Sequence, residues 1–299
     1  MASELNPGQT IAHGLTRLAA KELRSARAVL HDRAVRDGSL HAARKSVKHV
    51  RAVLQLLRAD HARGLAKTEK HLRAANRALS PLRDAEAIVK SLHSLRLDAP
   101  DLFSATAFAQ LRDRLVTRKR QLLREVLRDG TMRNIRAHLR KAAAGTEHWR
   151  ATHKGFRTMT AGMTVSHQRS RAAMARAEQG RHPAQFHEWR RQLKCLWYQT
   201  RLLGPLAPLR RDVRALHSAE GCLGDDHDMV LLRDIVLSEI ASHGLAVDPR
   251  RLRMATARYQ AVLRKRALAG VRHICALGPR EYALRARHAW KNAKLKAGT

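Results

Sequence analysis

Apolar residues recur every three to four positions along most of the chain, with arginine and lysine filling the positions between them. From Thr10 to His31 the apolar side reads Ile11, Leu15, Leu18, Leu23, Ala26 and Leu30, and Arg17, Lys21, Arg24 and Arg27 stand between. That period predicts an amphipathic helix with one buried stripe. Asp37-Gly38-Ser39 interrupts it and supplies an N-cap, so a second helix is expected from Leu40 to about Arg58, burying Val47, Val50, Leu54 and Leu57. A third is expected over about 62–79, ended by Ser80-Pro81, and a shorter one over 85–95. Leu97-Asp98-Ala99-Pro100-Asp101 reads as a turn with a cap for a helix reaching Arg128, and Asp129-Gly130-Thr131 closes that helix and opens another to Ala144.

Residues 145–155 show no clean period, and beyond them the plan repeats. Helices are expected near 157–179, 184–203, 206–222, 228–241, 249–277 and 280–293. The breaks fall at Gly180-Arg181-His182-Pro183, Gly204-Pro205 and Leu223-Gly224-Asp225-Asp226-His227-Asp228. Aromatics make up only 4% of the chain while Ala, Leu and Arg dominate, which favours helices over strands. The expected fold is all-α with an aliphatic core. Its expected parts are 8–145, a linker at 146–155, 156–293 and a basic tail at 294–299.

Two of these helices carry the same polar stripe. Residues 40–48 hold His41, Arg44, Lys45 and Lys48; residues 186–194 hold His187, Arg190, Arg191 and Lys194, with His41 and His187 146 residues apart. Positions i, i+3, i+4 and i+7 share one helix face, so each copy projects an imidazole and three cations together. Like charges so placed destabilise an isolated helix by a few tenths of a kcal/mol per pair, and a polyanion is the natural offset. Arg51 extends the first stripe by one turn. Lys67, Lys70, Arg73 and Arg77 recur at similar steps on the third helix, answered by Arg210, Arg211 and Arg214 in the second half. A solvated basic face is the alternative for that second set. Other anchors keep register: 79–84 against 223–228 and Lys67 and Lys70 against Arg211 and Arg214 at 144 residues, 118–120 against 264–266 at 146. An internal duplication is expected.

Composition narrows the partner. Lys and Arg number 59 against 25 Asp and Glu, a net charge of +34 before any of the 18 histidines is protonated. Such a charge recruits anions: nucleic acid, anionic lipid or phosphate polymers. Cys195, Cys222 and Cys275 are dispersed, which indicates neither a disulfide framework nor a zinc cluster and suggests a reducing compartment. The first residues, beginning Met1-Ala2-Ser3, carry no leader pattern, and no window approaches the length of a membrane span. No P-loop, nucleophile-elbow or Rossmann fingerprint is present, and the scattered histidines, His61, His138, His148 and His153 among them, show no metal-ligand spacing. Asp84 and Asp228 invite a metal reading, but helix capping or an internal salt bridge is favoured, since a hard cation needs more oxygen ligands than one such turn supplies. No metal, cofactor or catalytic residue is therefore assigned.

With a His-x-x-Arg-(Lys/Arg)-x-x-Lys helix in each half, followed 43 residues on by Asp84 and 41 residues on by Asp228, the chain resembles the CHAD family, the conserved histidine α-helical domain, over roughly residues 8–293. The resemblance implies two antiparallel helical bundles related by a pseudo-twofold axis. It also implies that their basic helices line a central groove or tunnel that binds inorganic polyphosphate without catalysis. Many members follow a triphosphate tunnel metalloenzyme domain with a Glu-x-Glu-x-Lys start; none stands here, so a stand-alone member is expected. Two departures are visible: Tyr198, one turn after Lys194, is matched by Ala52, and Leu79-Ser80-Pro81 replaces the Leu-Gly of the family turn.

The resulting expectation is a binding protein for inorganic polyphosphate, cytoplasmic, with granule association and any protein partner left open. Its binding set is His41, Arg44, Lys45, Lys48, Arg51, Lys67, Lys70, Arg73, Arg77, His187, Arg190, Arg191, Lys194, Arg210, Arg211 and Arg214. Arginine suits phosphate through planar paired donors and lysine as a mobile point charge. If His41 and His187 touch phosphate their protonation is favoured, so affinity is expected to strengthen from pH 8 to 6. Nucleic acid is the second choice: Trp149, Trp189, Trp197 and Trp290 are dispersed rather than forming a stacking platform, and periodicity buries at least one of Trp189 and Trp197. A phosphoryl-transfer enzyme ranks last, because metal-holding carboxylates are nearly absent from the stripes.

Overall fold

The periodic stretches are helical in a computed structural model of the chain, which describes residues 4–6, 8–31, 37–61, 63–151, 153, 155–204 and 206–297. Among them the fold is all-α. The helices are α1 (Ile11–His31), α2 (Asp37–Ala59), α3 (Leu65–Ala78), α4 (Ser80–Asp98), α5 (Ala105–Arg128), α6 (Thr131–Gly145), α7 (Arg157–Gly180), α8 (Pro183–Arg201), α9 (Arg210–His243), α10 (Pro249–Ala276) and α11 (Pro279–Ala297). Met1-Ala2-Ser3, Ala62, Pro205 and the last two residues of the basic tail lie outside the described residues, as does the side chain of Asp37 and with it the expected cap.

Several boundaries differ from expectation: α2 already includes Asp37-Gly38-Ser39, α3 starts at Leu65 and α9 at Arg210, and four further differences have a clear local reason. The start of α4 is Ser80 rather than 85, because Pro81 sits in the first turn, where its missing N–H costs nothing, and Leu79 alone separates α3 from α4. Residues 100–102 form a 3₁₀ turn, and the cap of α5 is Ser104, whose Oγ accepts from the Ala107 N–H at 3.1 Å. In α8, His182 and Gln185 close a capping box ahead of Pro183. The largest departure is α9. The break expected at 223–228 does not occur, and one helix of 34 residues runs through it. A single glycine costs a helix only about 1 kcal/mol, and two of the aspartates there are held from outside rather than capping. Asp226 accepts from Arg264 Nε at 2.7 Å and Gln260 Nε2 at 3.0 Å, while Arg83 donates twice to Asp228, at 2.6 Å each.

Two hydrophobic cores result, and both draw on residues from either side of 146–155. The larger joins α1, α2, α3, α6, α7, α8 and α11 with the start of α9 and the end of α10, around Leu15, Leu56, Trp189 and Tyr282. The smaller joins α4 and α5 to the second part of α9 and the start of α10, around Leu92, Leu111, Leu232 and Leu252. Within the larger core α2 lies close against α7: a Cβ added at Gly162 would come within 2.7 Å of the Leu56 Cα. The 146–155 segment is tied to the first half. Trp149 is buried and donates to Thr68 Oγ1 at 3.2 Å, and Arg63 and Arg150 exchange backbone hydrogen bonds.

The Arg83–Asp228 pair fastens α4 to α9 across the boundary of the two cores. Asp228 is only 5% exposed at its side chain, and removing one partner of a buried pair strands the other charge at a cost of about 3–5 kcal/mol. Asp228→Ala is expected to lower the unfolding free energy by about 3 kcal/mol in urea titration, with Arg83→Met/Asp228→Leu recovering most of the loss. An unchanged denaturation midpoint in the single variant would show the pair to be dispensable.

Candidate functional site

The two motif helices lie side by side. On α2, Ala43, Val47, Val50 and Leu54 are buried in the larger core, which leaves Arg44, Lys48 and Arg51 facing α8 and α4. On α8, Trp189, Leu193 and Leu196 anchor the helix, and His187, Arg190, Arg191 and Lys194 face back. Two cavities of about 320 and 490 Å³ meet here. They share Arg44, Lys48, Arg83, Arg190, Lys194 and Tyr198, so these six side chains form the waist of one passage. On one side of the waist stand Arg51, Gln55, Asn76, His187, Arg191 and His227. On the other stand His41, Lys45, Trp197, Arg201, Arg214 and His217.

Glycine at 224 serves this passage rather than a turn. A Cβ there would lie 3.0 Å from Arg190 Nη2, so its absence lets the guanidinium rest against α9. At the outer side Trp197 stacks on His217 with centroids 4.4 Å apart, and the Arg201 guanidinium sits 5.8 Å over the Trp197 ring. At the other side the His187 and His227 rings lie 4.2 Å apart.

Charge balance differs sharply between the two helices. Glu220 from α9, itself buried, accepts from Lys194 Nζ and from Arg190 Nε at 3.3 Å. Burial opposes ionisation of Glu220, but Lys194 and Arg190 hold its carboxyl below the ordinary range. Arg44 and Lys48 of α2 have no acid within salt-bridge distance among the described residues, although His49 and Arg58 of the same helix pair with Glu22 and Glu69. Arg44 is only 7% exposed, and its Nε and Nη1 are buried with no hydrogen-bond partner. Burial, against a weak pull from Asp84, lowers its pKa to about 10. Burial and then the neighbouring Lys194 and Arg44 bring Lys48 down to about 7. Asn76 Oδ1, in the same wall, is also buried without a donor. Buried polar groups are nearly always paired, so the two unpaired Arg44 donors suit an acceptor such as an anion, whereas Asn76 Oδ1 calls for a donor and gives an anion nothing.

Of the residues singled out in sequence, His41, Arg44, Lys45, Lys48, Arg51, His187, Arg190, Arg191, Lys194 and Arg214 come together around the passage. Lys70, Arg73 and Arg77 stay exposed on α3, with Arg73 Nε donating to Glu69 at 3.0 Å; Lys67 lines a separate cleft, and Arg210 and Arg211 are exposed at the start of α9. His187 starts from a low value in the free protein, so any proton it takes up near neutral pH would come with a bound anion. Burial, then His227 and Arg190, press it to about 4, so in the free protein it stays neutral from pH 8 to 6. Sequence reasoning missed Arg83, Glu220, Asn76 and His227. Arg83 directly precedes the matched Asp84, the one signal that pointed to it. Asp84 and Asp228 both pair with Arg83, which fits the internal salt bridge expected for them rather than a metal role, and both Trp189 and Trp197 are buried.

Comparisons with known proteins agree with this geometry. The family described as CHAD domain matches residues 17–237. The fold resembles the crystal structure of the CHAD domain from the plant Ricinus communis, with a TM-score of 0.62 over 91% of this chain and 93% of that one, at 15% identity. A comparison with curated proteins returns no match.

Uncompensated burial of Arg44 and Lys48 carries a stability signature. Replacing an unpaired buried charge by an apolar side chain of similar length is expected to stabilise the free protein, by about 1–4 kcal/mol for Arg44→Met or Lys48→Met. For Lys48 the folded value of about 7 lies below the usual 10.5. Between these the unfolded chain binds the extra proton, so wild-type stability rises with pH through that window, and below about 7 the penalty is complete. Lys48→Met is expected to flatten this rise in melts taken at successive pH values. A wild-type profile as flat as the variant's from pH 7 to 10 would show Lys48 to be solvated and fully charged.

Proposed function

This chain belongs to the CHAD-domain family, and on that premise we propose that it binds inorganic polyphosphate in the passage between α2 and α8, performing no chemistry on it. The observation that carries the reading is Arg44, buried with two unpaired nitrogens beside Lys48. A chain of phosphates offers oxygens on all sides, matching cations that α2, α4 and α8 present from different directions. Cavities of about 320 and 490 Å³ flank the same six side chains, which offers more room for a polymer than a lone phosphate ion needs. Affinity arises from counterion release and a focused positive potential, so it weakens with salt in proportion to the phosphates neutralised.

Absence of chemistry is part of the same proposal. Phosphoryl transfer relies on carboxylates that hold a divalent metal over the phosphates, and here Asp84 is taken by Arg83 at 3.2 Å and Glu220 by Lys194 and Arg190. Nucleic acid remains the competing ligand, but Trp197 and Tyr198 are buried at the channel edge and offer bases no open face. A cytoplasmic location fits this reading, and granule association is left open by it.

A competition at near-physiological salt tests it. Labelled long-chain polyphosphate is displaced by unlabelled polyphosphate, duplex DNA or single-stranded RNA at matched phosphate concentration. Polyphosphate is expected to win by about two orders of magnitude or more, the advantage expected when a preorganised site adds to the salt-dependent background. Arg44→Ala with Arg190→Ala is expected to remove that advantage. Equal competition by the nucleic acids would reduce the passage to a general basic surface.

A further inference from the structure

The cations of α2 do not end at the waist. Arg44, Lys48, Arg51, Gln55 and Arg58 recur at three- and four-residue steps and form one stripe, roughly 21 Å from first to last at 1.5 Å per residue. Arg51 and Gln55 line the channel and, with Arg58, Leu65 and Glu69, also a narrow opening beside it. Arg58 and Leu65 then line a third cavity, of about 810 Å³, between α3 and α6. Neighbouring cavities thus border the same side chains, and the Arg58–Glu69 pair stands between the channel and the cleft.

Three cations border this cleft, among the apolar Leu65, Ala66 and Ala144. Arg58, Lys67 and Lys141 line it with His61, His71 and His148, and no acidic side chain is among its lining residues. The acid nearest the route, Glu69, is engaged by Arg58 and Arg73. His71 Nδ1 lies 3.0 Å from His138 Nδ1, and partial burial, then His138, Lys141 and Lys70, keep His71 below its ordinary pKa. The first residues of α3 border the same space. They follow Gly64 at φ 80°, a left-handed conformation that lets the chain turn tightly past the His148 carbonyl, and no side chain caps them.

We propose that the α3/α6 cleft is a second phosphate-binding site, which takes up the part of a long polyphosphate chain that leaves the channel past Arg51. The inference rests on the polyphosphate reading of the channel and adds chain-length selection to it. Lys67 and Lys141 are exposed, so each contributes little on its own. Once the channel holds one stretch of polymer, engagement of the next is intramolecular, and weak contacts add up to avidity. A ligand too short to span the α2 stripe gains nothing from the cleft.

The test compares tripolyphosphate with long-chain polyphosphate on the full chain, by calorimetry at constant salt. Lys67→Ala with Lys141→Ala is expected to weaken long-chain binding about tenfold and leave tripolyphosphate affinity unchanged. Arg124→Ala with Arg128→Ala, which removes the same charge from exposed positions on α5 outside the cleft, is expected to change neither. If the control pair weakens long-chain binding as much as the cleft pair, only bulk charge is at work and the second site is overturned. It is equally overturned if the cleft pair leaves long-chain affinity intact or weakens both ligands alike. Failure of the channel reading shows separately: Arg44→Ala with Arg190→Ala would then leave long-chain affinity untouched.

Discussion

Everything in this molecule turns on holding like charges together in a space largely shielded from water. Arg44, Lys48, Arg190, Lys194 and Arg83 converge on one waist, an arrangement that helix formation alone opposes and burial opposes further. What keeps it in place is the apolar packing behind each helix. Val47, Val50 and Leu54 on α2, and Trp189, Leu193 and Leu196 on α8, fix the two backbones in the larger core, while the second core sets α4 and α9 opposite. The cations cannot turn away without undoing that packing. The strain then persists until an anion relieves it, and preorganisation of this kind is what converts a basic surface into a site.

The relief is unevenly distributed. On the α8 side Glu220 already acts as a counterion for Lys194 and Arg190. On the α2 side Asn76 stands 144 residues before Glu220, at the offset relating Lys67 to Arg211, and an amide cannot neutralise charge. Arg44 and Lys48 therefore form the less compensated wall, and on the proposed function a phosphate chain would gain most where it lies against α2. The same helix carries the stripe onward through Arg51 to Arg58, so the strongest contact and the exit route share one scaffold.

Much of this was legible in the chain. The 3.6-residue period located the helices because apolar burial dictates both, and the doubled His-x-x-Arg stripe identified the two that meet. The misreadings have physical causes. Leu223-Gly224-Asp225-Asp226-His227-Asp228 carries turn chemistry, yet Arg83, Arg264 and Gln260 recruit its aspartates from other helices and α9 continues. Local pattern cannot foresee such partners. The α3 set, Lys67 to Arg77, has the spacing of the motif stripes, but α3 buries Leu65, Leu72 and Ala75 on the side that leaves Lys70, Arg73 and Arg77 in solvent. For His187, spacing predicted proximity to the cations correctly; that the same cations and His227 would hold it neutral depended on a neighbour forty residues away.

The central claim is that Arg44 and Lys48 are held uncompensated for a polyanion, and proton counting tests it most directly. Titrating long-chain polyphosphate into the protein at pH 8, in buffers of different ionisation enthalpy, measures protons taken up on binding. Lys48, with a pKa of about 7 in the free protein, is mostly neutral at that pH and must charge when phosphate arrives, so uptake of about one proton per site is expected, lost in Lys48→Met. Binding with no proton uptake, or uptake that survives Lys48→Met, would contradict the account.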